Sequence, residues 1–369
     1  MSLNLDNLDF FSKLKKIQVI NDVFLLLSFH DICVVRLTCK LFNDMFKVWS
    51  NFNVISGIYE ITDENCVFLK KYTRLDLSLC GYIDDKYFDY FKNIHTINIS
   101  GGCINNEGLK YFKGVYDINL SECYIKDDGL KYLTGVYKID LSCCKQITNE
   151  GLKYLQGVKD INISGCKQIT NEGLKYLTIN HLDNKSSIFS INLSHCDKIT
   201  NEGLKYLQCV KNINLSYCCR ITNEGLSYLQ GVHKINISGC YITDEGLFYL
   251  KGVHTINIGG CNITEKGLFY LKNCYDINLS DCYITDLCLK ELGNNTSVKK
   301  INLRGCNNIT DKGILYLKNC DEINLSHSSV TDLCIEQLHS VKKLHVYGCK
   351  NITKKTIRLP NIWSAGRNG

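Results

Sequence analysis

Proline is nearly missing from this chain: Pro360 stands alone among 369 residues. Arginine is scarce as well, six residues against 37 lysines at a formal net charge of +6. Proteins that read nucleic-acid bases concentrate positive charge and use arginine on base edges. The balance here argues against such a partner and reads as a solvated lysine surface. No stretch reaches the ~18 consecutive apolar residues of a membrane span, so no membrane insertion is expected. The opening residues, MSLNLDNLDFFSKLKK, place acids ahead of the apolar positions and lack the unbroken apolar core of a secretory leader. Cysteine is abundant, yet the 22 residues include no CxxC and no zinc-ligand spacing. Outside the repeating pattern there is no Ser/His/Asp, Cys/His or glycine-rich phosphate constellation. The expectation is a non-catalytic chain with no cofactor and no metal.

What the sequence does contain is repetition. ITNEGLKYL stands at 147–155, 169–177 and 199–207, and ITNEGLSYL at 221–229. Aligned on φ-x-x-I-x-L-x-x-C, the "I" falls at Leu75, Ile97, Ile118, Ile139, Ile161, Ile191, Ile213, Ile235, Ile256, Ile277, Ile301, Ile323 and Leu344. The thirteen units are 21 or 22 residues apart, except for 30 after Ile161, where TINHLDNKSSIFS reads as a polar loop insertion, and 24 after Ile277. An irregular leading unit, NVISGIYEITDENCVFL, precedes them. Repeats of this length stack into a solenoid. The chain divides into a tail (1–13), a non-repeating segment (14–50), the repeat array (51–353) and a C-terminal tail (354–369).

One unit, VYDINLSECYIKDDGLKYLTG at 115–135, shows the logic. Ile118 and Leu120 alternate with Asp117, Asn119 and Ser121, which predicts a short strand with one buried side. Cys123 then turns the chain, its small apolar thiol suited to an interior corner. In neighbouring units "IT" follows, and the Thr is a helix N-cap worth ~1 kcal/mol. Asn-Glu or Asp-Glu next complements the helix dipole. Two leucines three apart bury one helical face, and glycines such as Gly114, Gly135, Gly157, Gly231 and Gly252 close the turn. Glu150, Glu172 and Glu202 are therefore helix-stabilising residues rather than acid–base catalysts.

The pattern C-x(1–2)-I-T-x-x-G-L-x-x-L…L/I-x-L-x-x-C resembles the cysteine-containing leucine-rich repeat over residues from about 52 to 353. The resemblance implies an α/β fold, a right-handed horseshoe with a parallel sheet on the concave side and helices on the convex side. Gly102 and Ser328 stand where the pattern has cysteine. Asn-x-Ser sequons recur at Asn98, Asn119 and Asn162. On strands ~4.8 Å apart they could not all carry glycans. With cysteines recurring at the repeat period, this places the chain in the cytoplasm or nucleus, its thiols reduced.

On the outward strand positions, Asn follows the repeat's Ile in ten of thirteen units and Ser stands two further on in ten. Such uniformity predicts ladders in which each Asn amide donates to one neighbour and accepts from the next. The pattern breaks at Arg304, Glu322, His327, Lys343, His345 and Tyr347. Tyrosine and arginine anchor interfaces, which marks these six as candidate substrate-binding residues. The alternative is that terminal repeats are atypical because they cap the array.

Residues 14–50 do not fit the repeat. From Asp31 onward Ile32, Val35, Leu37, Leu41, Phe42, Met45 and Phe46 recur at helical spacing, and so short a unit cannot cover them all by itself. The stretch SFHDICVVRLTCKLFNDMF with the following Trp49 resembles an F-box, a small all-helical domain. Phe29, Asp31, Ile32, Leu37, Cys39, Lys40, Phe42 and Trp49 match its pattern, while the usual Leu-Pro is absent and Thr38 replaces the common Val. The resemblance implies that these eight residues dock an Skp-type adaptor, and through it a cullin–RING ubiquitin ligase, with the solenoid holding a protein substrate. The competing expectation is an interaction scaffold whose N-terminus only caps the array. The composition, rich in Asn, Ile, Lys and Tyr, resembles that of large DNA viruses or amoebae, in which case the adaptor belongs to a host.

Overall fold

The computed structural model describes residues 83–353 apart from 103, 179–187 and 294–296, together with 54–55, 61–62, 66–67, 69–70, 72–78, 80 and 362–363. Each repeat begins with a three-residue strand, Asp117–Asn119 for example, whose middle residue is buried between two partly exposed ones. Fifteen strands line up in chain order in one sheet. All pair in parallel with no register slip from repeat to repeat, so Ile97 faces Ile118 and Ile118 faces Ile139. The sheet begins at Val54–Ile55, inside the irregular leading unit. It continues to Ile362–Trp363, beyond the boundary expected at 353, because that pair aligns with Leu344 and His345.

The return path is a tight helical turn. Asn149–Leu152 forms one α-turn and Lys153–Leu155 narrows to a 3₁₀ turn. A short turn of this kind fits because only two leucines need to face inward. Most of the described repeats supply an equivalent buried set. In one it is Val136, Ile139, Leu141, Cys144, Ile147, Leu152 and Leu155, all within 3% of complete burial. Each large side chain contributes about 1.5–3 kcal/mol of gross burial energy, and the core is one continuous stack. Gly135, Gly157, Gly231 and Gly252, which follow the helical turns, have φ between +82° and +88° or, at Gly252, +92°, the left-handed region expected of a cap.

Two hydrogen-bonded ladders tie neighbouring repeats together. The first runs through the core. Cys144 Sγ donates to the carbonyl of Leu120 at 3.1 Å, Cys166 to Leu141 at 3.1 Å, Cys218 to Leu193 at 3.1 Å and Cys240 to Leu215 at 3.0 Å. The same Leu120 carbonyl accepts the N–H of Cys123, so the thiol fills its second lone pair. Burial pushes the Cys144 and Cys240 thiols up to about 12, and Cys218 to about 11.

The second ladder runs along the start of the helical turns. Asn149 Oδ1 accepts the N–H of Thr170 at 2.9 Å while its Nδ2 donates to Thr170 Oγ1 at 2.9 Å. Asn171 clasps Thr200, Asn201 clasps Thr222 and Asn223 clasps Thr243 in the same way. Where the residue is aspartate, the hydroxyl reverses and donates: Thr148 Oγ1 to Asp127 at 2.6 Å. Thr148 and Thr170 also cap their own helices by accepting from Glu150 and Glu172, whereas Thr200, Thr222 and Thr243 make no such cap bond. The first polar residue of NEGL was expected to serve the helix dipole. It serves mainly as a clasp on the next repeat.

Candidate protein-interaction surface

Three positions of each strand and its exit face away from the core, as Lys138, Asp140 and Ser142 do. The middle one is locked. Asn98, Asn119, Asn192, Asn214, Asn236 and Asn324 each accept, through Oδ1, the backbone N–H two residues on, at 2.9–3.1 Å. Asp76 and Asp140 do the same. This intrastrand turn replaces the expected amide ladder. Among the described residues an Asn amide reaches the next strand's equivalent position once, where Asn162 Nδ2 donates to Asp140 Oδ2 at 2.8 Å. At that pair Asp140 offers Oδ2, a second carboxylate oxygen that its own strand does not use, whereas the Asn oxygens elsewhere are turned to their own backbone.

The position before each middle residue varies. Asp117 pairs with Lys138 at 3.1 Å. Near the C-terminal end Glu322 sits between Lys300 at 3.7 Å and His345 at 3.4 Å. Exposed pairs like these contribute little stability but set the charge pattern of the face. Burial pushes the Asp276 carboxyl above its ordinary value, with Lys300 opposing it.

The six residues expected to form a patch divide into smaller groups. Glu322 and His345 are in contact, and Lys343 lies on the strand beside Glu322. The His327 and Tyr347 rings meet edge to face at 5.2 Å. Arg304 is exposed, and its guanidinium has no ion-pair partner among the described residues. Phe29, Asp31, Ile32, Leu37, Cys39, Lys40, Phe42 and Trp49 lie outside the described residues.

Two rows on the edges of the sheet escaped the sequence reading. One precedes the strands, where His95, Tyr116 and Tyr137 stack at 4.7 and 4.5 Å. His233, His254 and Tyr275 stack at 4.7 and 5.1 Å in the same row. Strand spacing of ~4.8 Å matches ring stacking, so the period itself builds the row. The other edge follows the strands, at a position with φ near +60°. Six units place glycine there, Gly165 and Gly239 among them, while Glu122, Cys143, His195, Tyr217, Asp281 and His327 hold side chains. A non-glycine residue in that region is uncommon and strained by ~1 kcal/mol or more. His195 and Tyr217 stack at 4.8 Å, with Tyr217 mostly exposed. The signal in sequence was a non-glycine where sister repeats have glycine.

No group of three His, Cys, Asp or Glu side chains among the described residues is placed to hold a metal. No helix among them is long and apolar enough to cross a membrane.

The sequence family described as Leucine Rich repeat matches residues 138–155, 158–177, 186–207, 206–229 and 294–318. No curated protein sequence matches the chain. Among solved structures, the TLR13–ssRNA13 complex aligns at 16% identity with a TM-score of 0.58, over 82% of this chain but only 46% of that one, so the chain spans under half of TLR13's length there. The complex of Rad7 and Elc1 in yeast aligns at 17% identity and a TM-score of 0.51, over 92% of this chain and 98% of the other. At these identities the likeness concerns the fold. Strand, thiol corner, threonine at the start of the turn and matched repeat coincide: the matched units are leucine-rich repeats, and the fold is a leucine-rich-repeat solenoid.

Proposed function

We propose that the chain is the substrate-recognition subunit of a cullin–RING ubiquitin ligase, non-catalytic in itself. In this reading residues 14–50 dock an Skp-type adaptor through Phe29, Ile32, Leu37 and Phe42, and the sheet face holds a protein substrate. The ligase would gain rate by proximity, since holding a substrate lysine beside a loaded conjugating enzyme raises its effective concentration without new chemistry. The observation that carries the reading is the sheet face. Thirteen full strands, all but the last with a locked Asn or Asp at the middle position, present several rows free to vary, which is the layout of a recognition surface rather than a reaction centre. Rad7, similar in fold over nearly its whole length, was crystallised with a second protein, Elc1, which supports a role for this kind of solenoid as one member of a complex.

Affinity purification of the intact chain beside one lacking residues 1–50 tests the proposal. The Skp-type adaptor should accompany the intact chain and be lost from the truncation. It should also be lost from Ile32→Asp and Leu37→Asp, with circular dichroism of the solenoid unchanged. Adaptor retained by both point variants would sink the ligase reading. Protein partners captured without any adaptor would favour the plain scaffold.

A further inference from the structure

The middle of the sheet differs in charge from its two ends. Across the strands Ser190–Asn192, Asn212–Asn214, Lys234–Asn236 and Thr255–Asn257, with the residues that flank them on both edges (189–195, 211–217, 233–239 and 254–260), there is no Asp or Glu. The same area carries Lys211, Lys234, His195, His233 and His254. Its floor is a shallow concavity lined by Asn192, Asn214, Lys234, Asn236 and Asn257. Phe189 and Tyr217 stand exposed on opposite edges.

The amides of that floor are oriented. Asn192, Asn214, Asn236 and Asn257 commit Oδ1 to the N–H of Ser194, Ser216, Ser238 and Gly259 at 3.0 Å. Their Nδ2 groups have no acceptor among the described residues. A carboxamide whose oxygen is fixed inward must present its nitrogen, so four adjacent strands offer a row of hydrogen-bond donors ~4.8 Å apart. Donors, two lysines and no carboxylate call for an anionic, acceptor-rich occupant. Its extent is bounded, since Asp160 stands on the strand before this area and Asp276 on the strand after. A long polyanion such as single-stranded nucleic acid, laid along the stack, would run against both carboxylates.

We infer that this central trough binds a short acidic stretch of extended polypeptide, flanked by basic residues that meet Asp160 and Asp276. Four strands span ~14 Å, room for about four extended residues. The inference rests on the reading of the solenoid as the protein-binding half of the molecule. It does not depend on the adaptor, so failure of adaptor capture leaves it standing.

The test is fluorescence polarisation with the full chain and a labelled peptide of about four glutamates between paired lysines. Controls are the same peptide with glutamines and a short labelled oligothymidine. The variant is Asn214→Asp with Asn236→Asp, which swaps donors for acceptors and keeps the oxygen that accepts the backbone N–H. Asp76 and Asp140 already make that bond in other repeats, at 3.1 and 2.8 Å, so the fold is retained. The glutamate peptide should bind at least about tenfold tighter than the glutamine peptide, and the variant should lose about tenfold or more. Equal binding of the two peptides, no binding of either, or an unchanged affinity in the variant would overturn the inference. Tighter binding of the oligothymidine would assign the trough to nucleic acid and overturn it as well.

Discussion

The glycine in the NEGL turn invites a substitution whose outcome runs against local propensity. Gly225 lies inside the short helix Asn223–Leu226, where alanine is ordinarily favoured by about 1 kcal/mol. Here a Cβ on Gly225 would sit 2.5 Å from Asn201 Oδ1 and 3.0 Å from Leu204 Cδ1. Asn201 cannot retreat freely, because it accepts from Thr222 N at 3.0 Å and donates to Thr222 Oγ1 at 2.8 Å. Forcing a methyl into such a contact costs about 1–3 kcal/mol, and loss of the two hydrogen bonds about 1–3 kcal/mol more. Against the helix gain, Gly225→Ala should destabilise by about 1–5 kcal/mol. Hydrogen exchange suits the measurement, since a stacked array need not unfold in one step. The Thr222 amide should exchange faster in the variant while amides near Ile118 are unaffected. Combining it with Asn201→Ala removes the collision, so the double variant should lose less than the sum of the singles. A Gly225→Ala chain more stable than the parent, or strict additivity with Asn201→Ala, would refute the clasp as the reason for glycine.

Other outcomes follow from the thiol ladder and the surface. Alkylation at mildly alkaline pH, mapped by mass spectrometry, should modify exposed Cys143 and Cys219 in the native protein and spare Cys144, Cys218 and Cys240 until denaturant is added. The thiols of Cys144 and Cys240 are raised from 9.0 to about 12. The unfolded chain therefore releases these protons first, and stability, full below pH 9, should fall as pH rises through the window to about 12. Alkylation mapped to Cys144 and Cys240 should begin only where circular dichroism is lost as the pH rises, and their modification in the folded chain would contradict this. Cys218→Val, which removes the donor to Leu193 and adds bulk, should cost about 1–3 kcal/mol, while Cys218→Ser should cost less, as Ser328 is buried at the equivalent corner; equal losses in thermal unfolding would remove the hydrogen bond from the account. Lys138→Ala breaks an exposed pair with Asp117 and should change stability by less than about 1 kcal/mol in the same assay.

How much of this could be read from the chain depends on whether a position answers to a partner one repeat away. Ile139, Leu141, Leu152 and Leu155 were legible because alternation and helical spacing are local patterns, and each is buried. Cys144 was legible as something small and apolar, but not as a donor, since its acceptor is Leu120 in the preceding unit. Asn149 was assigned to its own helix because Thr170, its true partner, lies 21 residues on. The Asn ladder failed for the opposite reason: the nearest donor, two residues along the same strand, outcompetes the amide on the next strand. At the candidate site, the isolated charges of the last repeats stood out by eye. The donor row at Asn192, Asn214, Asn236 and Asn257 did not, because identical asparagines look purely structural until the orientation of each amide is known.

The geometry also separates where this array can evolve from where it cannot. The clasp and the Asn turn each hold a backbone N–H, the thiol corner adds a second donor to a carbonyl that is already paired, and the clasp's glycine leaves room for the clasp. Losing one such bond costs about 0.5–1.5 kcal/mol at each unit where it is changed. What remains is the residue two positions ahead of each locked Asn, the aromatic edge before it and the left-handed position after the strand. Those rows hold Lys234, Phe189 and Tyr217 in the middle of the array and Glu322 and His327 near its end. Side chains at the left-handed row are retained against local strain where glycine would relieve it, as Gly165 and Gly239 do in sister repeats. Replacing Tyr217 with glycine should therefore stabilise the chain slightly while weakening capture of the acidic peptide. A variant that gains stability and keeps full peptide affinity would show that the ring serves packing against its stacked neighbour His195 and nothing beyond it.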